Sequence, residues 1–177
     1  MSKATPTSAI AKFAAGGKKT KKKDLGMMAI SYNDVYVAQI AIEANPMQAI
    51  KAIQEAENYP GPSLIIGYTP CISHGLRGGM GQTIQESKDA VESGYWQLYR
   101  YDPRLAAKGK DPMRIDYKKA DFSKMSAFLE NQTRFSALHS VKKDEQEVQD
   151  MLQHTVDVMT ERSENYNRLA AYKKVKE

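Results

Sequence analysis

The sequence predicts an α/β fold, a partial doubly wound and mainly parallel sheet followed by C-terminal helices. Two β-branched segments, VYVAQIAI at 35–42 and LII at 64–66, have the length and composition of buried strands. Between them, residues 45–58 carry a helical pattern, with Asn45 as the cap and Pro46 in the first turn. A strand, a helix and a second strand in this order predict two parallel strands joined by a right-handed crossover.

Composition limits the classes of protein to which the chain could belong. With 177 residues, of which 41% are hydrophobic and 27% charged, the chain is long enough for one domain with a sizeable core. No apolar run approaches the roughly 18 residues of a membrane span, and no signal peptide follows Met1, so a cytoplasmic protein is expected. The single cysteine excludes an internal disulfide and a complete metal site of several thiolates within this sequence.

Two short helices are predicted before the first strand. The cap and proline of Thr5-Pro6-Thr7, followed by apolar residues at 10–15, predict a helix that Gly16-Gly17 ends. Asp24 is the predicted cap of a second helix, which runs through Ile30 and whose two methionines, at 27 and 28, fill core space.

Beyond residue 81 the pattern alternates between helix and strand. Thr83 and Glu86 have the spacing of a capping box, and they open a helix that Gly94 terminates. Residues 95–102, YWQLYRYD, predict a strand with one half-buried side, in which the aromatic rings serve packing rather than base stacking. Residues 113–117 predict one more short strand.

The last third of the sequence changes to helices. Phe122 begins one apolar helical face that Leu138 continues, and a longer helix is predicted over residues 144–175. We therefore divide the chain into an α/β part at 1–117 and a helical part at 118–177 that packs on it. His139 and His154 have no second ligand at metal-like spacing, so surface or packing roles are expected for both.

The net charge of +5 is confined to one segment. Residues 1–23 hold seven lysines and no acid, and five of these lysines lie within residues 18–23. Arginine and interleaved aromatic residues are absent there, so nucleic acid is not the expected partner. A solvated loop is favoured, and contact with an anionic partner stays open.

Cys71 occupies the most distinctive loop of the sequence. It follows the strand at 64–66, at the carboxyl end where α/β sheets bind ligands, and precedes a glycine-rich stretch at 75–81. An ordinary half-buried thiol and a ligand or reactive group both remain open for Cys71. For His74, a hydrogen bond that stabilises the loop is favoured over metal ligation. No phosphate loop, zinc-binding helix motif or nucleophile elbow is present, so the residues by themselves do not indicate an enzyme.

Three long stretches carry a resemblance to a known family. The runs SKATPTSAIAKFAAGGKKTKKKDLGMMAISYNDVYVAQIAI, YPGPSLIIGYTPCISHGLRGGMGQT and ESGYWQLYRYDP resemble the carboxyl-terminal thiamine-diphosphate domain of pyruvate:ferredoxin (flavodoxin) oxidoreductase, including the enzyme of nitrogen-fixing bacteria. The resemblance is continuous to about Pro112 and weakens in the terminal helices.

The resemblance implies a function and a role for Cys71. The family oxidatively decarboxylates pyruvate with coenzyme A to acetyl-CoA and carbon dioxide, and passes electrons through 4Fe-4S clusters to ferredoxin or flavodoxin. Cys71 matches the isolated cysteine that completes the ligand set of the cluster nearest the thiamine diphosphate. The other three cysteines, and the Gly-Asp-Gly and Asn-Thr-Gly-Gly motifs that contact Mg²⁺ and diphosphate, would lie upstream of Met1.

These absences predict a fragment that is inactive alone. Its implied partners are the upstream remainder of the enzyme, ferredoxin or flavodoxin, pyruvate and coenzyme A, in a homodimeric full enzyme without membrane contact. A cut through a doubly wound domain would also expose a strand edge or an apolar face. Two alternatives stay open: an interaction module that uses the lysine-rich segment, and a structural remnant without activity.

Overall fold

The fold is built on a four-stranded mixed sheet, seen in a computed structural model that describes residues 4–171. The strands are β1 (Tyr36–Ile40), β2 (Ser63–Gly67), β3 (Tyr99–Tyr101) and β4 (Met113–Ile115), in the order β2-β1-β3-β4. β1 and β2 are parallel, whereas β3 is antiparallel to both β1 and β4. The predicted α/β class is confirmed, but the sheet is mixed rather than mainly parallel, because two of the three strand pairs in the described residues are antiparallel.

Eight α-helices surround this sheet in the described part of the chain. They are α1 (Leu25–Ile30), α2 (Pro46–Glu57), α3 (Thr83–Glu92), α4 (Arg104–Ala107), α5 (Met125–Asn131), α6 (Thr133–Ser136), α7 (Leu138–Val141) and α8 (Glu145–Ala170). Turns of 3-10 helix precede α3 at Met80–Gln82 and α5 at Phe122–Lys124. None of the helices within residues 4–171 has the length and apolar character needed to cross a membrane.

Three helix starts follow from capping side chains. The carboxylate of Asp24 accepts a hydrogen bond from the backbone N–H of Met27, at 3.0 Å, and the amide oxygen of Asn45 accepts one from Gln48, also at 3.0 Å. Asp144 caps α8 in the same way. Each cap satisfies an N–H group that has no partner within its own helix. The predicted starts of α1, α2 and α8 are therefore confirmed, while the predicted end of α8 at residue 175 lies outside the described residues.

The prediction of a helix after Thr5-Pro6-Thr7 is wrong. Residues 5–17 form turns instead, with Ser8 at a positive φ of 64°. The hydroxyl of Thr155, on α8, donates to the hydroxyl of Ser8 at 2.9 Å and to the carbonyl of Thr7 at 3.2 Å. Bonds to a distant helix replace the local helical bonds of this segment.

Three other elements and one side chain differ from the sequence patterns. Thr83 is the first residue of α3 rather than its cap, because the Glu86 side chain turns inward instead of completing a capping box. The strand predicted over 95–102 is limited to β3, and all of β3 is buried. The helix predicted from Phe122 to Leu138 is divided into α5, α6 and α7. Met28 is 50% exposed and does not fill the core.

Helices cover both faces of the sheet. Alternate residues of β1, Tyr36, Ala38 and Ile40, form a buried cluster with Ala49 and Ala52 of α2. On the opposite face, Val37 clusters with Ile30 of α1 and Tyr166 of α8. This alternation is that of a strand buried on both sides, as predicted for β1.

A buried ion cluster holds α2 against β3. Arg100 is 7% exposed and binds Asp116 through two hydrogen bonds of 2.8 Å. Its third contact is with Glu55 of α2 at 2.6 Å, and Glu55 also accepts from the hydroxyl of Tyr36. Gln48 of α2 donates to Asp116 at 2.9 Å. The carboxylates, above all Asp116, hold the pKa of Arg100 above its ordinary value.

Candidate functional site

The candidate site begins where β2 ends. After Gly67, the backbone N–H of Tyr68 still pairs with the carbonyl of Ile40, at 2.9 Å, and the Tyr68 ring is buried against Trp96, with 5.5 Å between ring centroids. Burial raises the pKa of the Tyr68 hydroxyl, with a smaller contribution from nearby Tyr95. Tyr68 therefore fixes the point from which the chain leaves the sheet and continues to Cys71.

A second segment of the chain holds the loop that carries Cys71. The Gly75 N–H bonds to the Cys71 carbonyl at 2.9 Å and closes a single turn. The Gly75 carbonyl accepts from Thr133, Leu76 forms a bridge to Gln132, and the Arg77 N–H donates to the carbonyl of Asn131 at 2.9 Å. Residues 75–77 are thus paired with the junction between α5 and α6, which positions the loop at the carboxyl end of the sheet.

Cys71 is half-buried and lies in the loop beyond β2, rather than in the core. Within residues 4–171, the hydrogen-bond partner of Sγ is Nδ1 of His74, at 3.1 Å. The predicted loop-stabilising hydrogen bond of His74 is present in this geometry. Ile72, between them, is 80% exposed, and Ile42, at the same end of the neighbouring strand, is 56% exposed. The thiol therefore lies on a rim that also presents apolar side chains.

The glycines after Cys71 serve different purposes. Gly75 and Gly79 have positive φ values of 77° and 84°, which glycine adopts without strain. Gly81 has no such φ, and a Cβ placed on it would meet no atom within 4 Å in the part of the chain that the structure describes. Contacts among residues 4–171 do not account for glycine at 81, and the space beside it is open.

A buried carboxyl group lies under the loop, and the sequence patterns missed it. Glu86 is 1% exposed, and one of its oxygens accepts from the side chain of Asn131 at 2.6 Å. Its other oxygen has no hydrogen-bond partner among the described residues. Burial raises the pKa of Glu86, against a smaller opposing effect of Asn131. Its spacing from Thr83 predicted a role in a capping box instead.

The lysine-rich segment is partly packed: Lys18 is buried and Lys22 half-buried, whereas Lys19, Lys21 and Lys23 are exposed. Lys18 is 1% exposed, and its ammonium group donates to the carbonyl of Thr5 at 2.7 Å. Lys21 forms an ion pair with Glu161. Burial, followed by the charges of Arg134 and Arg162, lowers the pKa of Lys22. Two of the five lysines are therefore packed in the folded structure.

The structure brings no complete metal site together in residues 4–171, where no group of three or more His, Cys, Asp or Glu side chains could hold an ion. His139 lies at the surface between Glu130, at 2.8 Å, and Glu145, at 3.0 Å, which raise its pKa. His154 is half-buried on α8. Surface and packing positions are thus confirmed for both histidines, and Cys71 remains a single candidate ligand.

Comparison with known proteins identifies close relatives, although no family model matches the chain. The chain is 54% identical to the pyruvate-flavodoxin oxidoreductase of Klebsiella pneumoniae over 78% of its residues. It is 50% identical to the enzyme of the same name from Enterobacter agglomerans over 96% of its residues. It is 56% identical to the pyruvate:ferredoxin oxidoreductase of Moorella thermoacetica over 77%.

These relatives are much longer than the chain. The chain spans 12% of the Klebsiella protein, 14% of the Enterobacter protein and 11% of the Moorella protein. Since the Enterobacter alignment covers 96% of the chain, it includes most of α8. The similarity therefore extends further into the C-terminal helices than the sequence motifs indicated.

Proposed function

Because this chain belongs to the family of pyruvate-flavodoxin and pyruvate:ferredoxin oxidoreductases, we propose that it forms one segment of such an enzyme. The proposed reaction is the oxidative decarboxylation of pyruvate with coenzyme A to acetyl-CoA and carbon dioxide, with electrons passed to ferredoxin or flavodoxin. Within this enzyme, Cys71 supplies one thiolate ligand of a 4Fe-4S cluster. The homodimer expected for the full enzyme and the division at residue 117 stay predictions.

The position of Cys71 is the observation that carries the proposed ligand role. The half-buried Cys71 follows the end of β2, on a loop fixed by the α5–α6 junction, and the space beside Gly81, in the 3-10 turn at Met80–Gln82, is open. A sulfur enclosed by packed hydrocarbon would not suit this role. Exposed Ile72 and Ile42 beside it suit a rim that another part of the enzyme covers, and such cover would keep water from a cluster.

The chain can supply one of the four ligands of a 4Fe-4S cluster. A 4Fe-4S cluster is held by about four thiolates, and Cys71 is the single cysteine of the sequence, so the remaining ligands come from other polypeptide. When bound, such a cluster accepts and releases single electrons. The imidazole of His74 is placed to donate Nδ1–H to the Cys71 sulfur, and hydrogen bonds to ligand sulfur tune the reduction potential of a cluster.

The residues present do not fit a thiamine diphosphate site. The Gly-Asp-Gly motif of the family does not occur in the sequence, and no cluster of potential metal ligands is found within residues 4–171. Without carboxylate and amide ligands for Mg²⁺, the diphosphate has no anchor. We therefore assign decarboxylation to the assembled enzyme and expect no activity from the chain alone.

An independent module that uses its lysines on an anionic partner is not favoured. The side chain of Lys18 is buried, Lys21 is paired with Glu161, and Lys22 is half-buried. Of the five lysines at 18–23, Lys19, Lys21 and Lys23 are exposed, and Lys21 is already paired, so fewer lysines are left for a partner than the sequence suggested.

The ligand role is tested by anaerobic co-production of the chain with the remaining polypeptide of the Klebsiella relative. Replacing Cys71 by Ser should lower the iron content by about four atoms per assembled chain, the content of one cluster, and abolish pyruvate-dependent dye reduction. Iron and acid-labile sulfide are measured on the purified complex. His74→Asn is the matched control, because it alters the hydrogen bond to sulfur and leaves the ligand in place. A Cys71→Ser complex with unchanged iron content would contradict the role.

A further inference from the structure

A cavity of about 500 Å³ lies between the lysine-rich segment and α8. Four cationic side chains and two carboxylates line it: Lys21, Lys22, Arg162, Arg168, Asp24 and Glu161. Met27, Val158 and Leu169 form an apolar part of the lining. Sites for small molecules have volumes of about 300–1,000 Å³. The cavity therefore has the size and the mixed lining of a site for an organic ion.

The two carboxylates of this cavity are already engaged. Asp24 accepts a hydrogen bond from the hydroxyl of Tyr166 at 2.6 Å and lies 3.4 Å from the guanidinium of Arg162, while its other oxygen caps α1. Glu161 forms an ion pair with Lys21. Each carboxylate is therefore matched to one cation of the lining.

The other two cations of the lining have no acid beside them. Neither Lys22 nor Arg168 has a carboxylate within ion-pair distance in residues 4–171, and Arg168 bonds to the neutral side chain of Asn165. The main chain of Lys22 is held, because its carbonyl accepts a hydrogen bond from Arg162 at 3.1 Å. Its ammonium group has no hydrogen-bond partner among the described residues. Lys22 thus brings an unpaired charge to the cavity from a fixed backbone.

The surroundings of Lys22 favour an added negative charge. Its side chain is half-buried, and the like charges near it are those of Arg134, Arg162 and Lys18. Burial is the main cause that lowers its pKa, the three cations act in the same direction, and Asp24 opposes them. A cation that is partly removed from water and faces like charges is stabilised by an anion beside it.

We propose that this cavity binds a phosphate group of an organic ligand, with the ammonium of Lys22 and the guanidinium of Arg168 as its cationic contacts. A phosphate monoester carries about two negative charges at pH 7, which match the two cations that have no acid, whereas a carboxylate would match only one of them. Arginine and lysine are the side chains that commonly bind phosphate. The organic part of the ligand would lie against the apolar part of the lining.

This site differs from a thiamine diphosphate site. Because Asp24 and Glu161 are engaged, they are not free to hold Mg²⁺, and the phosphate is bound by cationic side chains alone. The inference does not depend on the proposed function, since all residues of the site belong to this chain.

Binding is measured with inorganic pyrophosphate and the purified chain. Isothermal titration at constant ionic strength, with EDTA present, should show one pyrophosphate per chain. A pyrophosphate concentration of about 100 times the Kd should raise the midpoint of thermal unfolding by about 5 °C. Coenzyme A and ADP, titrated in parallel, distinguish the phosphorylated substrate of the proposed reaction from another nucleotide as the source of the phosphate.

Lys22→Met tests the main contact. It should weaken pyrophosphate binding at least about tenfold, and it should not lower the unfolding midpoint of the free chain, because it removes an unpaired charge. Lys23→Met is the matched control, since Lys23 is exposed and does not line the cavity, and its binding should stay within about twofold. Arg168→Met, at an exposed position of α8, should also weaken binding about tenfold, and it keeps the test decisive if Lys22→Met does not fold.

Three results would overturn the proposal: no stoichiometric binding of pyrophosphate, equal weakening by Lys22→Met and Lys23→Met, or binding that requires Mg²⁺. The second result would show a diffuse effect of the basic segment instead of a site. All of these measurements use the chain without iron, so their outcome is separable from that for Cys71.

Discussion

The two edge strands of the sheet, β4 and β2, differ in how far other elements cover them. At β4, Met113 is 2% exposed and clusters with Tyr166 of α8, which is itself 1% exposed. At β2, no residue is fully buried, and the neighbouring helices expose Ile50 and Ile53. α8 covers the sheet beside β4, whereas no described element covers the outer side of β2.

This difference divides the sheet into a half that is packed within the chain and a half that is left accessible. The half of the sheet formed by β3, β4 and α8 contains the ion cluster of Arg100 and the ring contact between Tyr99 and Tyr166, with centroids 5.0 Å apart. The half formed by β2, the outer flank of α2 and the Cys71 loop has accessible backbone and apolar side chains. Stability should depend on the first half and assembly on the second.

The largest expected effect is at Arg100. Replacing it by Met leaves the carboxylates of Asp116 and Glu55 without their cation in a mostly buried site, which should cost about 3–5 kcal/mol of unfolding free energy. Urea unfolding of the isolated chain measures this loss.

Controls come from both halves of the sheet. Arg114→Met, at the exposed residue opposite Arg100 on β4, should change the unfolding free energy by less than about 0.5 kcal/mol. Ile53→Ala, on the open side, should cost less than about 1 kcal/mol because its side chain is half-exposed. An Ile53→Ala loss as large as that of Arg100→Met would show that the open side stabilises the isolated chain after all.

A smaller effect is expected at Glu86, under the Cys71 loop. Because its pKa is raised in the folded chain, the carboxyl destabilises the fold as pH rises above the unfolded value near 4.5. Glu86→Gln should therefore stabilise the chain at pH 8 by on the order of 1 kcal/mol and have little effect at pH 4, where the carboxyl is protonated in both states. Thermal unfolding at the two pH values checks this. A stabilisation that is equal at both, or present only at pH 4, would be inconsistent with a buried charge.

Local signals made much of the fold predictable. The starts of three helices could be predicted, because each capping side chain bonds to a backbone N–H only two or three residues further along. These caps are Asp24, Asn45 and Asp144. The parallel pairing of β1 and β2 followed from the helix between them. The turn at residues 5–17 could not be predicted, because the bonds that replace a helix come from Thr155, far along the chain.

The candidate site was predictable in part. Cys71 stood out as the only cysteine, placed after a strand and before glycines, and its loop position is confirmed. Its anchoring at the α5–α6 junction, the buried carboxyl of Glu86 and the ion cluster of Arg100 were missed, since each depends on residues that are well separated in the sequence, by 16 positions for Arg100 and Asp116 and by 45 for Glu86 and Asn131. The open flank of α2 was also missed, because Ile50 and Ile53 fit the helical pattern of a core face and are half-exposed.

Access to the Cys71 thiol tests the central claim most directly. The isolated chain and the iron-containing complex with the remaining Klebsiella polypeptide are treated anaerobically with an alkylating reagent, and the Cys71 peptide is quantified by mass spectrometry. We predict rapid alkylation in the isolated chain, protection of at least about tenfold in the complex, and renewed reactivity once iron is removed. Equal reactivity of Cys71 in the isolated chain and in the fully iron-loaded complex would contradict its assignment as a cluster ligand.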